Sequence, residues 1–323
     1  MINNIYVIKA ESYFPYHNQA VEKYLFDTVD EDSLILYLWQ NIDTVFIGKN
    51  QNAFNECNVE LLEKKDNGFL ARRISGGGAV YHDLGNLNFT FICSIDNYDL
   101  NKQNEVILKA LDRLGIEANI NGRNDLEING RKFSGHAYYK SKKNAFHHGT
   151  IMLEVNEENM QKYLNVSLLK LNSKNVESVR SRVINLKDLD DSINVKVLKR
   201  ALIDSLSDVY GIDPLPLREE NLDEDILKAI QDEFASDKWK YGSNKTLPES
   251  VEKRFDWGIV KIEYELENGY IKDMIVYSDT LYPENIENIA ELFKNKKISQ
   301  LQDSDIKEVS DIIKLLKEKE NEI

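Results

Sequence analysis

Apolar residues recur along this chain at two periods, and each change of period marks an element. Ser33 to Gly48 (SLILYLWQNIDTVFIG) predicts two apolar strands around the polar turn Gln40 to Asp43. Val106, Ile107, Ala110, Leu111 and Leu114 repeat at helical spacing and stop at Gly115. Leu87 to Cys93 alternates, which puts Phe89, Phe91 and Cys93 on one face of a core strand. A further helix, Val197 to Tyr210, closes on Gly211, and Pro214 and Pro216 then break the pattern and predict a change of segment. Beyond the polar stretch Gly242 to Ser250, the alternation of Val260, Ile262, Tyr264 and Leu266, the turn Asn268-Gly269 and the return Ile271 to Tyr277 predict a hairpin. Two helices follow, the first with Ile286, Ile289, Leu292 and Phe293 as its buried stripe. Irregular alternation of strands and helices, without a repeat period, predicts an α+β protein. We expect a large mixed domain over residues 1–245 and a small ββαα domain over 246–323.

The composition narrows the classes of function. Of 323 residues, 42% are hydrophobic and 30% charged, the balance of a globular chain that folds in water. A net charge of -14 repels phosphate backbones and anionic lipid, so nucleic-acid and membrane-surface roles are not expected, although a local basic site remains compatible with it. Cys57 and Cys93 are the only cysteines, they lack CxxC spacing, and they support neither a disulfide framework nor a zinc site. Without a basic leader followed by an apolar stretch, or a run of eighteen apolar residues, the chain reads as cytoplasmic.

Two segments carry candidate chemistry. The first is RRISGGGAVYHD, Arg72 to Asp83. Three consecutive glycines cost backbone entropy and belong where the chain approaches something closely or takes positive φ. With Arg72 and Arg73 beside them, their N–H groups suit a phosphate cradle. No GK[ST] follows, and Tyr81 occupies the last position of a GxGxxG, so neither common nucleotide loop is present. The plain alternative is a glycine-rich hairpin connection with two solvated arginines.

The second is GRNDLEINGRKFSGHAYY, Gly122 to Tyr139. A two-residue turn at Asn129-Gly130 places Ile128 opposite Arg131, Glu127 opposite Lys132, Leu126 opposite Phe133 and Asp125 opposite Ser134. Asp125, Glu127, Lys132 and Ser134 then share one polar face. Such a lysine is either a solvated cross-strand ion pair or a fixed positive charge for an anionic reacting group, with Asp125 holding a metal ion. In FHHGT, Phe146 to Thr150, the adjacent His147 and His148 point to opposite strand faces and do not make a joint metal site. His82 and His148 read as hydrogen-bonded structural histidines. Neither cysteine has an activating base beside it, and no GxSxG elbow occurs.

These blocks, in this order, resemble the lipoate-protein ligase family: ARRISGGGAVYHDLGNLNFTF, GRNDLEINGRKFSGHA, FHHGT, ESVRSRVINL (Glu177 to Leu186), KWKYG (Lys238 to Gly242) and RFDWG (Arg254 to Gly258). The resemblance implies a large domain with the fold of biotin ligases and class II aminoacyl-tRNA synthetases, followed by an accessory domain. It implies that lipoate and ATP give lipoyl-AMP and pyrophosphate, and that a lysine of an acceptor domain then takes the lipoyl group. Carried over by residue, Arg72, Arg73, Gly76, Gly77, Gly78, Ala79, Val80 and Tyr81 form the lipoyl-adenylate loop, with Ser75 and Asn86 in support. Lys132 contacts the α-phosphate and the acyl carbonyl, Asn124 and Asp125 line the nucleotide and Mg²⁺ side, and Trp39 either borders the acyl slot or belongs to the core. The implied partners are lipoyl domains of 2-oxoacid dehydrogenases or the glycine-cleavage carrier. Related transferases work through an acyl-cysteine, and no cysteine follows Cys93, which favours a ligase. A ligase-like enzyme that only uses lipoyl-AMP, and a non-catalytic lipoate-binding protein, remain the alternatives. His136 stands where a smaller residue is usual, which leaves the imidazole to narrow the pocket or touch the nucleotide.

Overall fold

The computed structural model describes residues 1–122, 124–165, 183–242 and 245–320. The chain opens with β1 (Asn4–Lys9), α1 (Pro15–Thr28) and the predicted pair β2 (Ser33–Trp39) and β3 (Thr44–Ile47), but the turn between that pair sends them into different sheets. A short α2 (Ala53–Glu56) precedes β4 (Phe69–Arg72), which pairs parallel with β3. The glycine segment then leads to β5 (Val80–His82) on the other side of β3, an unpredicted strand that completes a three-stranded sheet.

All nine residues of β6 (Asn86–Ser94) are buried. Leu87, Phe89, Phe91 and Cys93 face a core that includes Val106, Ile107, Ala110 and Leu111 of α3 (Leu100–Asp112), as the periodicity predicts. Each such fully buried large side chain contributes roughly 1.5–3 kcal/mol over its exposed state. The opposite face of β6 carries Asn86, Asn88 and Thr90, buried as well. An apolar strand predicted from one face thus has a polar second face that needs internal hydrogen-bond partners.

β7 (Asn119–Asn121), β8 (Asp125–Ile128), β9 (Arg131–Lys140) and β10 (Asn144–Met152) continue the main sheet, followed by α4 (Glu157–Tyr163). The β8–β9 turn at Asn129-Gly130 forms as predicted, with φ of 52° and 76°, but the register departs from expectation after two pairs. Ile128 pairs Arg131 and Glu127 pairs Lys132; then a bulge intervenes, so Leu126 pairs Ser134 and Asp125 pairs Gly135. The extra residue turns both Phe133 and Ser134 into the core, each fully buried. Gly135, not Ser134, joins Asp125 and Lys132 on the polar face.

α5 (Val195–Tyr210) ends on left-handed Gly211, φ 69°, as expected. The prolines that follow do not begin a new unit. Leu215–Leu217 forms β11, which pairs parallel with β1 at the sheet edge, where a proline costs no ladder bond. The eight-stranded order is β11-β1-β2-β6-β10-β9-β8-β7. α6 (Glu224–Ala235) and α7 (Asp237–Tyr241) pack on the α1 side, where Phe234 and Trp239 join Tyr16 and Phe26. No helix among the described residues is long and apolar enough to cross a membrane.

The C-terminal region has three strands, not two: β12 (Glu249–Phe255), β13 (Gly258–Glu267) and β14 (Tyr270–Ser278). A register shift at Glu265/Leu266 leaves Leu266 36% exposed despite its place in the alternation. Of the predicted helices, α8 (Ile289–Phe293) is only five residues, and Leu292 is 55% exposed while Ile286, Ile289 and Phe293 are buried. The long helix is α9 (Lys307–Glu320), whose Ile312, Ile313 and Leu316 close a separate core over β13 and β14.

Candidate active site

A narrow cavity opens between the glycine segment and the start of β9. Its wall includes Trp39, Gly77, Gly78, Ala79, Val80 and Lys132. Gly77 holds φ at 89°, where a Cβ would sit 3.0 Å from the Arg73 guanidinium beneath it, so glycine is required by conformation and by space. Its N–H donates to Thr280 O at 2.8 Å, so this amide of the expected phosphate cradle is engaged by the C-terminal region.

The two arginines do not act as solvated anion clamps. Arg72 lies apart from the cavity, 7% exposed, and donates to the carbonyls of Gly48, Lys49, Gln51, Trp239 and Lys240 at 2.7–3.3 Å. Arg73 reaches the cavity wall but spends its nitrogens on Phe46 O (2.9 Å), Gly76 O (2.7 Å), Gly78 O (2.8 Å) and Ser75 Oγ (3.1 Å). Burial pulls both guanidinium pKa values down to about 10, and both remain charged at neutral pH. Arg73 therefore fastens the glycine segment from below and adds field rather than contact.

The counter-charge comes from Glu22 of α1, a residue the sequence pattern did not single out. Its Oε1 lies 2.8 Å from His148 Nδ1 and accepts from the Thr90 hydroxyl at 2.7 Å, while Thr90 accepts from Trp39 Nε1 at 3.0 Å. His148 Nε2 contacts Ser75 Oγ at 2.8 Å. A buried chain thus runs from α1 through β6 and β10 to the loop, and FHHGT and the glycine segment meet through Ser75.

Unpaired donors face the same cavity. The Tyr37 hydroxyl donates to Asn18 Oδ1, so the Asn18 amide donates to Asn41 Oδ1 and the Asn41 amide in turn to His82 Nδ1. His82 is then neutral with its proton on Nε2, consistent with a pKa lowered to about 3 by burial and secondarily by Arg73 and His148. Among the described residues that buried Nε2 has no partner, and neither has Asn88 Nδ2, whose Oδ1 accepts from Asn86. Buried orphan donors on a cavity wall fit acceptor atoms of a ligand. The signal for Asn88 was legible as a polar residue within an apolar strand.

Lys132 and Asp125 meet as the hairpin predicts, with Nζ 2.7 Å from Oδ1 and both side chains one-third exposed. A Cβ on Gly135 would lie 2.7 Å from Lys132 Nζ, so the bulge places a glycine where the lysine must cross the strand. Ile184 N donates to Lys132 O at 3.0 Å and fixes the backbone there. The bulge also turns the His136 imidazole toward the α3 side of the sheet, while the residue itself still lines the cavity. Its Nε2 meets Ser134 Oγ at 2.9 Å and its Nδ1 meets His147 Nε2 at 3.0 Å.

The structure brings together, on one cavity, Arg73, Gly77, Gly78, Ala79, Val80, Asn124, Lys132 and Trp39, the last both core and wall. Ser75, Gly76, Asn86 and Asp125 stand behind that wall. Tyr81 points away, with its hydroxyl on Asp43 Oδ1 at 2.8 Å. Residues 177–182 of ESVRSRVINL, and Arg123, lie outside the described residues.

Comparison with known proteins assigns the class first. The lipoyl protein ligase A/B catalytic domain matches residues 14–207, and the bacterial lipoate protein ligase C-terminus matches 249–322. Lipoate-protein ligase A of Psychrobacter cryohalolentis is 37% identical over 301 residues, covering 90% of this chain and 88% of the relative. The crystal structure of P. falciparum LipL1 in complex with lipoate superposes with a TM-score of 0.83 at 28% identity, over 96% of this chain and 98% of that one. A lipoate-protein ligase A bound with ATP gives 0.64 at 25% identity, over 75% and 99%. The chain belongs to the lipoate-protein ligase A family, and its activity is the ATP-dependent ligation of lipoate.

Proposed function

We propose that Lys132 serves both half-reactions at this cavity, and that the final acceptor is a lysine of a lipoyl carrier domain, from a 2-oxoacid dehydrogenase or the glycine-cleavage system. The observation that carries this reading is the placement of Lys132: its ammonium crosses Gly135 at the cavity wall, while the neighbouring arginines are spent on backbone carbonyls. In the first step a lipoate carboxylate oxygen attacks the α-phosphorus of ATP and pyrophosphate leaves. Two anions must approach, and a fixed ammonium lowers that cost where water is excluded. In the second step the acceptor amine attacks the acyl carbonyl and AMP leaves. The mixed anhydride needs orientation and dryness rather than a nucleophile from the enzyme. Both cysteines fit that reading, being buried with thiols pushed up to about 12 by burial.

Mg²⁺ suits the same corner. No cluster of three or more His, Cys, Asp or Glu side chains able to hold a metal occurs among the described residues. Magnesium needs none, because it keeps water and substrate phosphate oxygens beside one or two carboxylates. Asp125 holds its Oδ1 2.7 Å from the Lys132 ammonium, so it fits as a carboxylate that would be shared between that ammonium and the ion, with Asn124 on the cavity wall beside it. When bound, the ion would neutralise phosphate charge. We further assign 1–245 to the catalytic unit and 246–323 to an accessory unit, in a cytoplasmic enzyme.

Lys132→Ala tests the reading. Lipoate-dependent pyrophosphate release should slow by an amount on the order of 3 kcal/mol in the barrier. An unchanged adenylation rate in that variant removes Lys132 from the mechanism.

A further inference from the structure

The two ends of the cavity differ in chemistry. Trp39 of β2 pairs Asn88 of β6, Asn88 pairs Thr150 of β10, and Thr150 Oγ1 accepts from Gly135 N of β9 at 3.1 Å. One row of wall residues therefore crosses four neighbouring strands, from Trp39 to the glycine that the Lys132 ammonium crosses. With about 4.8 Å between strands, Asn88 stands roughly 10 Å from the Gly135 end. That end is polar, with Lys132 and Asn124 on the wall. The other is closed by rings: Trp39 lies against Phe46 and His82, with centroids 6.0 Å apart in each pair. Trp39 Nε1 already donates to Thr90, so the indole offers the cavity its apolar ring.

Two donors interrupt that apolar end. Asn88 and His82 are each 1% exposed. Among the described residues Asn88 Nδ2 and His82 Nε2 have no partner, whereas the other polar atom of each side chain is occupied, Asn88 Oδ1 by Asn86 at 2.7 Å and His82 Nδ1 by Asn41 at 3.3 Å. Those bonds fix which atom of each side chain is left over, and in both it is an N–H. A buried donor is costly until a ligand or water accepts it. An unsubstituted fatty acid has nothing to offer there, because beyond its carboxylate it is hydrocarbon. Lipoate has two ring sulfurs, which are weak acceptors and pack favourably on aromatic rings.

We propose that Asn88 Nδ2 and His82 Nε2 donate to the sulfurs of the dithiolane ring, and that this pair sets a preference for lipoate over a sulfur-free acid of the same shape. The inference rests on the proposed placement of the reacting carboxylate at Lys132, which leaves the acyl tail to run along the row toward Trp39. Selection follows from the donors themselves. Facing methylene groups, they stay unsatisfied, so a sulfur-free chain is rejected by a desolvation cost as well as by a lost contact.

The test measures pyrophosphate release by the full chain with ATP and either lipoate or its carbocyclic analogue, in which both ring sulfurs are methylenes, and compares the two kcat/KM values. The parent should favour lipoate about tenfold or more. Asn88→Leu and His82→Phe keep the side-chain shape and remove the donor, and each should shrink that preference by about three- to tenfold. The ratio cancels any loss of folded enzyme, and the comparison of the two acids on the parent needs no variant at all. A parent that uses both acids equally well overturns the proposal, as do variants that keep the parent's ratio, the result expected if the two N–H groups hold only water. Unchanged adenylation in Lys132→Ala overturns the carboxylate anchor and the direction of the tail with it. Slowed adenylation in that variant beside an unaltered ratio in the other two overturns the sulfur assignment alone.

Discussion

His147 and His148 are neighbours in β10, and the sheet sends them into opposite electrostatic settings. On the α1 side, His148 belongs to a charged chain of Glu22, Ser75 and Arg73 under the glycine segment. On the α3 side, His147 belongs to a neutral chain, with Gln103 Oε1 at 3.1 Å on Nδ1 and His136 on Nε2. Burial drives the pKa of His136 down to about 3 and that of His147 well below its usual value, so neither carries charge near neutrality. Two identical side chains, one residue apart, thus have different roles because a strand alternates its faces. The charged network fastens a loop on the cavity wall, and the neutral one fastens the bulged strand that presents Lys132.

The comparison can be broken most forcefully at Glu22. Glu22→Ala should leave Arg73 buried without its counter-charge and cost about 3–5 kcal/mol in a denaturant melt. A loss near zero would mean that the glycine segment is held by its carbonyl contacts alone. The next effect is at Gly135. A Cβ there displaces the Lys132 ammonium while meeting little else, so Gly135→Ala should slow pyrophosphate release by about ten- to a hundredfold while the melting transition barely moves. Equal losses of rate and stability would place the defect in the strand rather than in the lysine.

The smallest effect is in pH dependence, and its sign differs between histidines. His82, His136 and His147 have lowered folded pKa values, so the unfolded chain binds more protons below about 6.5, and stability should fall as pH drops from there toward 3. His17 behaves oppositely. Its hydrogen bond to Glu219 at 2.9 Å raises its pKa, so its contribution is complete below the unfolded value and is lost as pH rises through the folded one. Melts of His136→Phe should be flatter between pH 4 and 6 than those of the parent, and melts of His17→Gln flatter near neutrality.

Much of this was legible beforehand, for local reasons. The β6 alternation, the helix ending at Gly211, the Asn129-Gly130 turn and the meeting of Lys132 with Asp125 all follow from backbone period and turn chemistry. The bulge after Lys132 was not legible, because Phe133 and Ser134 share the core side only through contacts from elsewhere in the fold. Nor was β11, since Pro214 and Pro216 read as a break until β1 offers them an edge.

Chain order alone determined which groups this protein can bring to a reaction: three flexible glycines between strands, one lysine near a carboxylate, and histidines on alternate faces. Tertiary structure decided which of them face the cavity. It turned Arg72 into a fastener of five carbonyls, drew Glu22 under the loop and tied the His136 imidazole to His147. The physical reason is that backbone period is set between near neighbours, whereas burying a charge is tolerable only beside a partner, and that partner can come from anywhere in the chain.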